Sequence, residues 1–347
     1  MCRLLAYAGP PVFLDSLLVE PRASLIAQSM AARRARTPVN ADGSGIGWYG
    51  ERHEPGLYRS VVPAWSDANL VSLCRQIRSP LFMAHVRAAT SGEVSTANCH
   101  PFTDGRALFT HNGQIGRYAL LRRRVEALIP DELYHLRQGS TDSEAIFLAS
   151  RRAGLAGDAA GALAKTLSAI AAIRDAAGIG DAADTAATAA GMALGAASLD
   201  PAPLDPAFDF AAGAAPLDLG AAVPQIRTQP GSATGETRGP CGRDDTATIR
   251  FAAVHADGSC LTACRWADDG QPPSLYWRAI ETASGRGTVI ASEPSDEAEE
   301  DWHLVPPSSV LTAWPDGRMT LKPFDPLSTG RPADRPAPVA LQAAANV

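Results

Sequence analysis

Cys2 puts a thiol one residue from the start of the sequence, where removal of Met1 would leave a thiol and a free α-amine on the same residue. An α-amine, with an ordinary pKa of about 7.7–8.0, is partly neutral at working pH and can take the proton of an adjacent nucleophile. The alternative is a thiol packed at the start of a strand. Arg87 follows the apolar run Leu81-Phe82-Met83-Ala84 and belongs to HVRAATSGEVSTANCHPF, residues 85–102. A guanidinium at the interior end of a strand needs an anion, and its forked donors suit a carboxylate. Thr90, Ser91 and Gly92 add hydroxyls and a close backbone approach. A structural ion pair would satisfy the same guanidinium. His111-Asn112-Gly113 offers a side-chain amide beside a glycine N–H, two neutral donors of the kind a tetrahedral oxyanion requires. Asn-Gly is equally the commonest hairpin turn. In Ser140-Thr141-Asp142-Ser143-Glu144, Asp142 is either first-turn charge at a helix N-terminus or a carboxylate for a substrate ammonium. His85, His100 and His111 offer an imidazole base or, alternatively, structural hydrogen bonds.

The elements that must position these groups are mostly strands. Arg3–Ala8 is a short apolar run broken by Gly9-Pro10-Pro11. Gly45–Tyr49, Leu57–Val62, Leu81–Ala88 and Ala107–His111 read as further strands, and Ser16–Arg33 as a helix. Thr141 or Ser140 caps a helix over Asp142–Arg152, with Glu144 in its first turn, and a second helix covers Ala159–Ala177. Thr248–His255 and Cys260–Trp266 form a hairpin pattern around Asp257-Gly258. Ser274–Arg278, Thr288–Ser292, Ser308–Ala313 and Met319–Pro323 add strands, the last two flanking Asp316-Gly317. Many antiparallel strands with two helices in the middle indicate an α+β layered domain.

Composition narrows the function classes. With 31 Lys+Arg against 37 Asp+Glu, the net charge of −6 argues against a general nucleic-acid binder. No run approaches the ~18 apolar residues of a membrane span. MCRLLAYAG does not read as a secretory signal, so the expected setting is the cytosol. Cys2, Cys74, Cys99, Cys241, Cys260 and Cys264 suggest neither a disulfide scaffold nor a zinc site. Residues 178–246, rich in Ala, Gly, Pro and Asp, read as an insertion of short helices or disorder, and 326–347 as an unstructured tail.

In their order along the chain, these blocks resemble the class II glutamine amidotransferases, which are N-terminal-nucleophile hydrolases. MCRLLAY is similar to their first strand, and NADGSGIGWY, residues 40–49, to their N-x-D-G-x-G-(I/V)-G loop. H-x-R-x-A-T-x-G, H-N-G and T-D-S-E match their substrate-binding blocks. ADGSCLTACRW, SLYWR, VIASEP and WHLVPPSSVL resemble the later strands of stand-alone members, among them the ergothioneine-pathway γ-glutamyl hydrolase. The resemblance covers residues 1–177 and about 247–325, and implies one domain over 1–325 interrupted by the insertion. It implies a four-layer αββα sandwich of two antiparallel sheets between helices. Cys2 would be the nucleophile and its own α-amine the base; Asn112 and Gly113 would form the oxyanion hole. Arg87, assisted by Thr90, would bind an α-carboxylate, and Asp142 an α-ammonium. No metal or organic cofactor is expected. The implied reaction is cleavage of the γ-amide of glutamine or a γ-glutamyl conjugate through a γ-glutamyl thioester. The alternatives are a glutaminase subunit feeding ammonia to a separate synthetase, a non-catalytic amino-acid-binding module, and an acylase for other amides.

Overall fold

The computed structural model describes residues 2–34, 38–89, 92–179, 247–296 and 298–328. Its strands are β1 (Arg3–Phe13), β2 (Ser44–Tyr49), β3 (Gly56–Ser60), β4 (Arg78–Val86), β5 (Phe102–Thr103), β6 (Leu108–Ile115), β7 (Ile249–Ala256), β8 (Leu261–Ala267), β9 (Tyr276–Thr282), β10 (Gly285–Ala291), β11 (His303–Leu304), β12 (Ser309–Ala313) and β13 (Met319–Pro323). Its helices are α1 (Asp15–Leu18), α2 (Leu25–Ala31), α3 (Ala68–Gln76), α4 (Tyr118–Glu126), α5 (Asp131–Tyr134), α6 (Asp142–Arg152) and α7 (Ala159–Ala176). One sheet has the order β11-β9-β10-β1-β4-β2-β3, the other β13-β12-β8-β7-β6-β5, and the pairings are antiparallel.

Side-chain alternation builds the layers. In β1, Leu4, Ala6 and Ala8 face the second sheet, while Leu5 and Tyr7 face a core shared with Leu18, Leu25 and Leu70 of α1, α2 and α3. In β7, Ala252, Val254 and Ala256 face the first sheet, while Phe251 and Ala253 pack with Phe147 and Leu167 of α6 and α7. Helices, sheet, sheet and helices therefore stack in the αββα order the sequence implied. Because both faces of the central strands are covered, they read as continuous apolar runs rather than as alternating ones.

Several boundaries differ from the sequence reading. β1 runs through Gly9-Pro10-Pro11, because its pairing with β4 shifts register between Ala8 and Val12, where proline costs no ladder bond. The helix expected over Ser16–Arg33 is two short ones, interrupted near Pro21 and restarted by Ser24, whose hydroxyl accepts from the Ala27 N–H at 3.2 Å. Asn112-Gly113 is no turn: it lies inside β6, opposite Ala252 and Phe251. The insertion expected at 178–246 and the tail at 326–347 lie, from residues 180 and 329 onward, outside the described residues. Among those described, no helix is long and apolar enough to cross a membrane.

Candidate active site

Cys2 precedes β1, which is central in its sheet, with β10 on one side and β4 on the other. Its Sγ lies 3.4 Å from the Ala88 amide nitrogen and 3.5 Å from the Ala88 carbonyl oxygen. The thiol is partly exposed and the Arg87 side chain, one residue before that contact, is buried. The 87–89 backbone is clamped by the loop of the NADG motif. Arg87 N–H donates to Gly43 O at 2.8 Å, Asp42 N–H to Arg87 O at 3.0 Å, and Ala89 N–H to Asp42 Oδ2 at 2.7 Å. Asp42 thus shapes the approach to the sulfur, a role its place in a glycine-rich motif did not reveal.

The next side chain, Arg3, points to the other face of the sheet and is 1% exposed. Burial lowers its pKa from the ordinary value, and the Glu293 carboxylate opposes that shift. Glu293 in turn accepts from the Arg33 and Arg34 N–H groups at 3.1 and 2.8 Å.

Arg87 Nη1 donates to the Glu93 carbonyl at 3.1 Å. A Cβ on Gly92, whose φ is +78°, would lie 2.8 Å from Ser140 Oγ and 3.8 Å from Arg87 Nη2. This close approach, open only to a residue without a side chain, sets the guanidinium beside the segment leading into α6. Thr90, expected to assist it, lies outside the described residues.

Asn112 is 3% exposed and reaches toward β1. Its Nδ2 donates to Ser292 Oγ at 2.7 Å, and that hydroxyl also accepts the Leu4 N–H at 2.9 Å, two residues from Cys2. His85 Nε2 lies 3.2 Å from Asn112 Oδ1, which orients the amide. One hydrogen of the NH₂ group is used by Ser292, and a primary amide has a second. Both Ser292 and His85 position this amide; the sequence offered His85 as a base or a structural hydrogen-bonding group and did not assign Ser292. β5 covers only Leu108 and Phe109 of β6, so beyond them that edge has no strand partner among the described residues. The Ile115 N–H points to this edge and meets Asp142 Oδ2 at 2.7 Å; strand alternation puts the Gly113 N–H on the same edge.

Asp142 opens α6 and is largely buried. Oδ2 holds the Ile115 N–H, and Oδ1 accepts from the Ser143 N–H at 2.8 Å and its hydroxyl at 3.4 Å. The carboxylate is therefore fixed between β6 and its own helix. Of the two candidate caps it is Thr141 that serves, its hydroxyl accepting from the Glu144 N–H at 3.4 Å. Ser143 Oγ also lies 2.8 Å from His111 Nδ1. A surface groove of about 360 Å³ lined by Trp65, Asp67, Val71 and Arg75 contains none of these groups.

The three imidazoles are ill suited as bases. Burial lowers the pKa of His85 to about 3, that of His100 well below its ordinary value, and that of His111 in the same direction. His100 lies against His85 with ring centroids 4.1 Å apart and the rings tilted by 43°, and it meets Phe102 edge-on, an environment that favours neutral rings. The pH dependence of stability follows. His85 and His255, the latter lowered to about 4 by burial, bind protons near pH 6.5 only when the chain unfolds. The stability they contribute is full above pH 6.5 and is lost as pH falls toward 4 and 3. Denaturant unfolding at pH 7 and pH 5 is expected to differ by on the order of 2 kcal/mol per histidine. An unchanged midpoint over that interval would refute it.

Comparison with known proteins identifies the family and the fold. The family model "Glutamine amidotransferases class-II" matches residues 1–179, just over half of the 347 residues. A probable glutamine amidotransferase of Saccharomyces cerevisiae, DUG3, is 41% identical over 156 residues, 42% of this chain and 44% of that protein. The gamma-glutamyl-hercynylcysteine sulfoxide hydrolase of Mycolicibacterium smegmatis is 38% identical over 122 residues, 35% of this chain and 54% of that protein. The matches thus span about half the length of these relatives. A glutamine aminotransferase class-II domain protein from Silicibacter pomeroyi superimposes with a TM-score of 0.56 at 27% identity, over 93% of this chain and 99% of that one. A sandwich of this layering, a partly exposed cysteine at the head of its central strand and a family match over half the sequence lead to one assignment: the chain belongs to the class II glutamine amidotransferases.

Proposed function

We propose that the protein is an N-terminal cysteine amidohydrolase that cleaves the γ-amide of glutamine or of a γ-glutamyl conjugate. The observation that carries the reading is the contact of Cys2 Sγ with Ala88, directly after the buried Arg87 fork. Once Met1 is removed, the Cys2 α-amine takes the thiol proton and the sulfur attacks the amide carbon. A C–S bond forms and the carbonyl electron pair moves onto oxygen, where the Asn112 amide and the Gly113 N–H stabilise it. Collapse breaks the C–N bond, and the departing nitrogen takes the proton from the α-amine. Water then attacks the thioester, releasing glutamate and restoring the thiol. Arg87 holds the α-carboxylate and Asp142 the α-ammonium, so the scissile amide is presented from a head fixed by opposite charges. The γ-glutamyl hydrolase among the relatives supports an amine leaving group. The proposal includes a cytosolic setting, supported by the unpaired state of Cys2, Cys74, Cys99, Cys260 and Cys264.

A panel of γ-glutamyl amides including glutamine, assayed for glutamate release, tests the reading. Release from at least one member is expected, and its amine names the substrate class. In Arg87→Lys, KM for that member is expected to rise on the order of tenfold or more, because a point charge cannot replace a bidentate fork. An unchanged KM would move the carboxylate site elsewhere, and a panel without glutamate release would defeat the proposal.

A further inference from the structure

We propose that Asn98 is a positioning residue that sets the spacing between the two charged ends of the amino-acid pocket, an inference that rests on the reading of Arg87 and Asp142 given above. Asn98 ends the short 3-10 turn Thr96–Asn98 and is 2% exposed. Its Nδ2 donates to the Glu93 carbonyl at 2.9 Å and to Ser140 Oγ at 3.2 Å, while its Oδ1 accepts the Ser140 N–H at 2.8 Å. Both hydrogens and the carbonyl of the amide are thus engaged. The Glu93 carbonyl is the same one that receives Arg87 Nη1 at 3.1 Å. Ser140 stands two residues before Asp142 and next to the cap of α6. One buried amide therefore joins the segment that holds the guanidinium to the segment that holds the carboxylate.

The far side of this bridge is rigid. Glu144 accepts the Gln138 N–H at 3.0 Å and the Gly139 N–H at 2.8 Å. It is itself paired with Arg137, whose Nη2 also reaches Glu126 Oε1 at 2.9 Å. A Cβ on Gly139 would lie 2.4 Å from Asn98 Oδ1, so no side chain can enter between the two. Backbone 138–140 is pinned by Glu144 from one side and Asn98 from the other. A single charge on a ligand can follow a group that shifts slightly. Two charges on one carbon bind together only when their partners stay a fixed distance apart, and a misplacement of 1 Å can cost ~10²-fold. The spacer consequently acts on ligands that carry both charges.

L-glutamate and glutarate, which differ by the α-ammonium alone, read this out by calorimetry. The unmodified chain is expected to bind L-glutamate about tenfold or more tightly than glutarate, the gain from engaging both ends. In Asn98→Ala that ratio is expected to fall below about threefold while the Kd for glutarate stays within about threefold. A variant weakened only through general loss of fold would lose both ligands together, and that result would overturn the proposal. Asn98→Asp keeps an acceptor for the Ser140 N–H and removes both donors, so it supplies the same comparison if the alanine variant does not fold. An unmodified chain that gains nothing from the α-ammonium would defeat the reading of Asp142, and this inference with it. A full ratio retained in the variants would defeat the role of Asn98 alone.

Discussion

Replacing Cys2 by alanine is expected to lower kcat for glutamate release by about 10⁴-fold or more while leaving the affinity for glutamate within about threefold. The asymmetry follows from where the groups lie. Among the described residues, the hydrogen-bond contacts of the thiol are with the backbone of Ala88, whereas the charged ends of the ligand are assigned to Arg87 and Asp142, each held by other contacts. Alanine removes the bond-forming atom and little else, since the site is partly exposed and the strand that follows is unchanged. The same logic fixes the base. With His85 lowered to about 3 and His100 well below its ordinary value, neither of these rings gains a proton in the working range. The acid limb of kcat/KM should then follow an α-amine near 7.7–8.0 rather than a histidine near 6.5. Intact mass should show loss of Met1. A full rate in Cys2→Ala, or a full rate with Met1 retained, would remove the nucleophile assignment.

Much of this site is legible in the sequence, because its parts sit on elements with strong local signals. T-D-S-E marks a capped helix start, and α6 begins and ends where the pattern puts it, Asp142–Arg152. The apolar runs before Arg87 and Asn112 are the strands β4 and β6. Asn112-Gly113 shows the limit of local reading. As a dipeptide it favours a hairpin turn, yet tertiary pairing with β7 carries the strand straight through it. α3 and α4 are absent from the sequence reading, although Leu70 with Cys74 and Leu121 with Val125 are buried pairs four residues apart and Asp67 caps the first of these helices. Asn98 and Ser292 are beyond its reach for another reason. Their partners Ser140 and Asn112 are 42 and 180 residues away, and nothing in the spacing along the chain announces such a contact. Roles that depend on one side chain meeting its local backbone can be read from sequence. Those that join distant loops need the fold.

Gly113→Ala is expected to remove activity and stability together, and the reason lies in one backbone angle. Gly113 has φ +144°, a conformation that L side chains rarely adopt and that costs them about 1–3 kcal/mol. A Cβ there would stand 1.9 Å from the Arg250 carbonyl oxygen and 2.6 Å from His111 Nε2. The first clash is with backbone of β7, so relief requires β6 to move away from the strand it pairs with at that position. The second displaces His111, whose other ring nitrogen meets Ser143 beside Asp142. Strain and overlap together are expected to destabilise the fold by about 3 kcal/mol, lowering Tm by roughly 5–10 °C. The displaced N–H and the adjoining Asn112 amide would also leave the developing oxyanion short of a donor, a loss of about 10²–10³ in kcat. Measured below its lowered Tm, the variant separates the two effects, because the folded fraction can be held constant while the rate is read. Wild-type Tm would show that β6 accommodates the methyl group. A wild-type rate in the folded variant would show that the oxyanion is stabilised elsewhere.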